Sequence, residues 1–173
     1  MFTVSSASYI AKSQLAYHEG QTGGHWNNDQ KYSDQLPGFK WSDGQPWCCT
    51  FVHWCLWQVG VPVPAGAQSA SCATSCAAYK NAGRFTEYPV LGAQAFYGPH
   101  GGSHTGLVVA YDDTWITTVE GNTNTTGSSE GDGVYQKQRR RRDAYVYGYG
   151  VPYYHGVGQS PDPKWNGRDL SKR

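Results

Sequence analysis

Cys48 and His104 are the two residues whose types and surroundings could supply a nucleophile and its base. Cys48 opens an apolar run, Cys48-Cys49-Thr50-Phe51-Val52-His53-Trp54-Cys55, that meets no breaker before Gly60. Pro46 just ahead suits the first turn of a helix, where its fixed φ is already helical and its missing N–H has no partner to lose. A thiol in that turn sits among unpaired N–H groups at the positive end of the helix dipole, which favours the attacking thiolate. On a 3.6-residue helix Cys48 shares a stripe with Phe51, Val52, Cys55 and Val59, the face expected to meet a sheet. Cys49 lies about 100° round, on the side of His53 and Trp57. Cys48 is therefore the candidate nucleophile, and Cys49 and Cys55 read as small apolar packing.

The elements that must bring a base to this thiol lie in residues 103–122. Two β-rich runs flank Asp112-Asp113 and read as a hairpin. A three-residue loop at 112–114 puts His104 opposite Asn122, with Glu120 one diagonal step away on the same face. An even loop would turn Glu120 to the other face. The spacing thus predicts an odd loop or a compensating bulge. Under that register His104, Glu120 and Asn122 share a face, an imidazole with a carboxylate or amide behind it, which is what an activated nucleophile needs.

Together these segments resemble the CHAP domain, the cysteine, histidine-dependent amidohydrolase/peptidase family of the papain-like group. The resemblance rests on Pro46-Trp47-Cys48 with Phe51-Val52 and Trp54, on His104 with Gly106-Leu107-Val108, and on Val119-Glu120-Gly121-Asn122-Thr123. Weaker matches occur at Tyr17-His18-Glu19-Gly20, at Lys31-Tyr32 and over Tyr147–Tyr154. The resemblance implies Cys48 as nucleophile, His104 as general base, Glu120 as its orienting acid and Asn122 as a further polar member. It also implies a substrate, the peptide part of bacterial peptidoglycan, cut by an endopeptidase or an N-acetylmuramoyl-L-alanine amidase. Papain-like enzymes place a side-chain amide ahead of the nucleophile as an oxyanion donor, and Gln45 is the candidate here. Two departures stand out: Cys49 where the family usually has alanine, and Gly92-Ala93 where it commonly has a Gly-Asp pair.

Composition frames these expectations. A chain of 173 residues is long enough to bury a core as one domain. A net charge of +1 makes no case for nucleic acid or an acidic partner. With 14% aromatic and 16% charged residues, the surface suits a neutral, hydrogen-bonding polymer such as a glycan. No run approaches the roughly 18 apolar residues of a membrane span, and Met1–Ser6 lacks the basic start and apolar core of a secretory signal. Together with the family resemblance, this implies the setting of a phage endolysin, a monomer held in the host cytoplasm until it reaches the wall. An exported wall-remodelling hydrolase or toxin, and a non-catalytic wall-binding or virion module, are the alternatives. Five cysteines within a short stretch argue against a disulfide framework.

The order of elements reads as α+β, and the resemblance implies the papain-like form, an antiparallel sheet packed against N-terminal helices with the nucleophile at the start of a helix. Helices are expected at Ser8–Tyr17, from Cys48 toward Gly60, and at Gln68–Asn81 with Gly83 closing it. Strands are expected near 93–97, 105–111, 115–120, 133–139 and 143–149. Residues 20–46 read as a long loop forming one wall of the substrate groove. Residues 1–156 read as the catalytic domain and 157–173 as a linker-like tail.

Other patterns carry less. Cys72 and Cys76, four apart on a helix, match no standard zinc spacing with His100 and His104 and read as packing thiols. Asp29, Asp34 and Asp43 lack the alternating spacing that gathers oxygens round calcium. No cofactor or metal is expected. Arg139–Arg142 lies between strands, where side chains alternate, and reads as a solvated turn with one structurally used arginine. His18, His25, His53 and His155 read as surface or packing residues.

Overall fold

The computed structural model describes residues 2–126 and 130–172. Caps, more than apolar spacing, set where its helices begin. The Thr3 hydroxyl accepts a hydrogen bond from the Ser6 N–H at 3.2 Å, so α1 runs Val4–Ser13, ahead of the expected Ser8 start. Residues 20–46 are more built than a loop. They hold a small hairpin, β1 (Gln21–Thr22) with β2 (His25–Trp26), then α2 (Lys31–Gln35) and a 3-10 turn at Lys40–Ser42. Gln30 caps α2 by accepting from the N–H groups of Tyr32 and Ser33.

Helix α3 spans Cys48–Gln58 with Trp47 as its N-cap. Pro46 therefore precedes the cap, where the sequence had put it inside the first turn. Every residue from Cys48 to Leu56 is buried. The expected single apolar stripe is thus incomplete, because α3 is covered on more than one side. One side crosses the strands His104–Tyr111 and Trp115–Thr123 of the sheet, and others meet α1, α2 and the helix Cys72–Asn81. Helix α4 runs Cys72–Asn81, four residues later than expected, because Ser71 is its cap and accepts from the Thr74 N–H. Gly83 follows it with φ of 65°, the left-handed backbone expected there.

The main sheet has six strands, β3 (Phe85–Thr86), β4 (Gln94–Tyr97), β5 (His104–Tyr111), β6 (Trp115–Thr123), β7 (Gly133–Arg140) and β8 (Val146–Gly150). Their spatial order is β3-β8-β4-β5-β6-β7, and every pairing is antiparallel. The short β3 was missed in the sequence. Asp143–Tyr145, expected as strand, is a turn held by the Asp143 carboxylate accepting from the Tyr145 N–H at 2.8 Å. Gly92 keeps its turn without the family's aspartate: its φ is 80°, and its carbonyl accepts from the Tyr154 hydroxyl at 2.8 Å.

The β5–β6 hairpin settles the register of the site. Tyr111 pairs with Ile116 and the Asp112 N–H donates to the Trp115 carbonyl, so the turn is tight and even. A bulge between Val108 and Ala110 then shifts the pairing, so that Val108 faces Thr118 and Leu107 faces Val119. Of the two expected devices, the bulge is the one used. It returns Glu120 to the His104 face.

Residues beyond 156 do not trail away as a linker. Trp165 and Leu170 are fully buried in the main core, and Val157 bridges Asp169. The buried Arg84 donates to the carbonyls of Val151, Pro152, Leu170 and Lys172, tying the tail to the end of the sheet. Among the described residues no helix is long and apolar enough to cross a membrane.

Candidate active site

Cys48 is the first residue of α3, and its N–H, like others in a first turn, has no intrahelical acceptor. What fixes this helix start is Glu19. Its buried carboxylate accepts from the indole Nε1–H of Trp47 and, at 2.7 Å, from the Asn28 N–H. Trp47 in turn stacks on Tyr32. Gly121 of β6 completes the fit, since a Cβ there would lie 2.5 Å from Trp47 Cζ3 and 2.7 Å from Phe51 Cβ. Only a residue without a side chain lets β6 pass this close to α3.

His104 opens β5 and reaches this helix end. Its Nε2 lies 2.9 Å from Glu120 Oε2, which leaves Nδ1 unengaged by the carboxylate, and His104 and Cys48 line one depression. The imidazole stacks on Tyr97 with centroids 5.9 Å apart. Glu120 is fully buried. It accepts from the Thr118 hydroxyl at 2.6 Å and from the Arg139 guanidinium at 3.1 Å. Arg139 lies over the faces of Tyr97 and Tyr145, so it is the structurally used arginine of the 139–142 run.

Charge follows this geometry. Burial pushes the Glu120 carboxyl upward, but His104, Arg139 and Thr118 outweigh it and hold it down at about 2. Burial also disfavours a charged His104, yet hydrogen bonds to Cys48 and Glu120 more than offset that and raise the imidazole to about 10. The Cys72 thiol and burial push the Cys48 thiol well above its ordinary range, and His104 only partly offsets them. The thiolate that a helix start favours is thus opposed here by Cys72 and by burial.

Two depressions meet at Cys48. One, of about 560 Å³, is lined by His104, Asn122, Lys137, Arg139 and Tyr145. The other, of about 410 Å³, is lined by Trp41, Gln45, Ala70, Ser71 and Cys72. Pro46, Cys48 and Ser103 border both, so the thiol sits at the middle of one groove. Trp41, from the stretch expected to wall the groove, is 72% exposed at its edge.

The expected site residues therefore divide. Cys48, His104 and Glu120 converge. Asn122 lines the groove from a left-handed backbone (φ 52°), a conformation that asparagine tolerates better than most residues. Gln45 is exposed on the Cys72 side of the groove. Glu19, Tyr97, Thr118 and Arg139 were not singled out as site residues, although Glu19 stands in a block quoted for the family resemblance. Cys72 packs in a buried cluster as expected, and its Sγ lies 3.5 Å from that of Cys48. His53 is buried, 3.2 Å from the Ser75 hydroxyl, and burial pushes its imidazole down to about 3. Asp34 and Asp43 are both paired with Lys40. Among the described residues no three His, Cys, Asp or Glu side chains are grouped to hold a metal ion.

Compared with known proteins, residues 40–122 match the CHAP domain family, so the match holds Gln45, Cys48, His104, Glu120 and Asn122. No curated protein and no solved structure matches the chain.

Proposed function

We propose that this chain, which carries a CHAP domain, hydrolyses amide bonds in the peptide part of bacterial peptidoglycan through the Cys48 thiol. The family is one of peptidoglycan amidases and peptidases, and the observation that carries the reading here is the His104 Nε2–Glu120 Oε2 contact of 2.9 Å beside a thiol at a helix start. Cys48 attacks the scissile carbonyl carbon. His104 takes the thiol proton and returns it to the departing amine, while Glu120 holds the ring's tautomer and stabilises its charge. The free N–H of Cys48 and the side-chain amide of Gln45 are the proposed donors to the oxyanion. Water then attacks the thioester and releases the acid, with His104 now accepting the water's proton.

The groove supports a polymeric substrate. It is open on both sides of Cys48, as a chain cut in its middle requires, and Trp41 offers an aromatic face at one end. Asn122 on the opposite arm is proposed to hydrogen-bond the substrate backbone. The deciding experiment is digestion of purified peptidoglycan followed by mass spectrometry of the soluble fragments. New amines on stem or bridge residues identify an endopeptidase, and free muramyl ends with free L-alanine identify an amidase. Binding to sacculi with no fragment released contradicts the reading. We extend it to an endolysin-type role: production inside a bacterium leaves cells intact, and co-production of a membrane pore lyses them. Intact cells with the pore present contradict that role.

A further inference from the structure

Cys72 is the first residue of α4, as Cys48 is of α3, so two helix N-termini bring their thiols together. The sulfurs are 3.5 Å apart, roughly van der Waals contact, against the 2.03–2.05 Å of a disulfide. All five cysteines are free thiols. Of these, Cys49 and Cys55 are fully buried and Cys76 nearly so. Cys48 and Cys72 alone among them line the groove, on the same depression of about 410 Å³. Cys49 also touches Cys72, but from the closed side. Packing at this place would be served by any small residue. A second thiol on an open groove, in contact with the candidate nucleophile, has a chemistry of its own.

We propose that Cys48 and Cys72 are a reversible modification site for hydrogen peroxide, closing into a disulfide that masks the nucleophile. The Cys48 thiolate attacks one peroxide oxygen; an S–O bond forms, the O–O bond breaks and hydroxide leaves. The Cys72 thiolate then attacks the Cys48 sulfur; the S–S bond forms, the S–O bond breaks and a second hydroxide leaves. The two thiol protons turn both hydroxides into water, and the two electrons that reduce the peroxide come from the thiol pair. A dithiol reverses the step by exchange at the new disulfide. Cys72 thereby diverts Cys48 from the irreversible sulfinate. The consequence for turnover rests on the hydrolase reading, but formation of the bond does not.

The test treats the full chain with equimolar hydrogen peroxide, then maps peptides without reduction. The expected result is a cross-link between the Cys48 and Cys72 peptides that dithiothreitol removes, with alkylation of Cys48 by iodoacetamide lost and regained in step. Peptidoglycan turnover, where present, follows the same course. In Cys72→Ser no such cross-link forms, and Cys48 proceeds to sulfinate that dithiothreitol does not restore. Sulfinate at Cys48 in the wild type, or a cross-link joining Cys49 to either partner instead, overturns the proposal. A protein that cross-links and recovers its alkylation yet never digests peptidoglycan fails the hydrolase reading alone.

Discussion

Gly106 and Glu120 face each other across β5 and β6 so closely that a Cβ on Gly106 would lie 2.6 Å from Cγ of Glu120. The glycine two residues past His104 is thus the space into which the carboxylate's stem folds on its way back to the imidazole. The His-x-Gly pattern and the Glu of the following strand are one device, not two.

Gly106→Ala should therefore uncouple support of the imidazole from the fold. The added methyl also meets Thr118 Cβ at 3.2 Å and the Val119 carbonyl, so the expected destabilisation is about 1–3 kcal/mol. Turnover should fall more, by about 10- to 100-fold, as Glu120 leaves His104. Thermal melting beside fragment release measures both, and a variant that is less stable but turns over at the wild-type rate would refute the coupling.

Glu120→Gln removes the charge that helps hold His104 up at about 10. The imidazolium then loses its proton at lower pH, and the alkaline limb of activity should move toward neutrality. Stability changes with the opposite sense of pH. The folded Glu120 carboxyl, at about 2 against an ordinary 4.5, contributes above pH 4.5 and loses that contribution as the pH falls toward 2. That contribution is about 3 kcal/mol. The urea midpoints of wild type and variant should accordingly lie far apart at pH 7, draw together as the pH falls through 3 and meet only below about pH 2, whereas a gap independent of pH would contradict the assignment.

The tail offers a test away from the groove. Trp165 is fully buried among core residues and flanked by Arg84 and Arg168 over its ring. Trp165→Ala should cost about 3–5 kcal/mol, the range for emptying a buried tryptophan site. A change under about 0.5 kcal/mol, the size expected of an exposed position, would mean that residues 157–172 behave as the linker their composition resembles.

Much of the site was legible because its chemistry is local to two patterns. A cysteine opening an apolar helix and a histidine and glutamate in strand alternation can each be read along the chain. The register between them was legible only as a condition, since nothing in Val108-Val109-Ala110 marks the bulge that satisfies it. Helix starts at Val4 and Cys72 were misplaced because Thr3 and Ser71 cap them, and a single hydroxyl outranks the apolar spacing. The tail escaped because two large apolar residues, Trp165 and Leu170, lie among Pro, Gly, Asp and Asn. The meetings of Arg139 with Glu120 and Cys72 with Cys48 join distant segments, and neither leaves a pattern along the chain.

The most direct test of the thiol mechanism compares peptidoglycan turnover by the wild type, Cys48→Ala and His104→Ala, each first shown by circular dichroism to keep the fold. Loss of at least about a thousandfold in both variants is expected, because nucleophile and base act as one unit. Turnover by Cys48→Ala within about tenfold of the wild type would contradict the assignment of Cys48 as the attacking group.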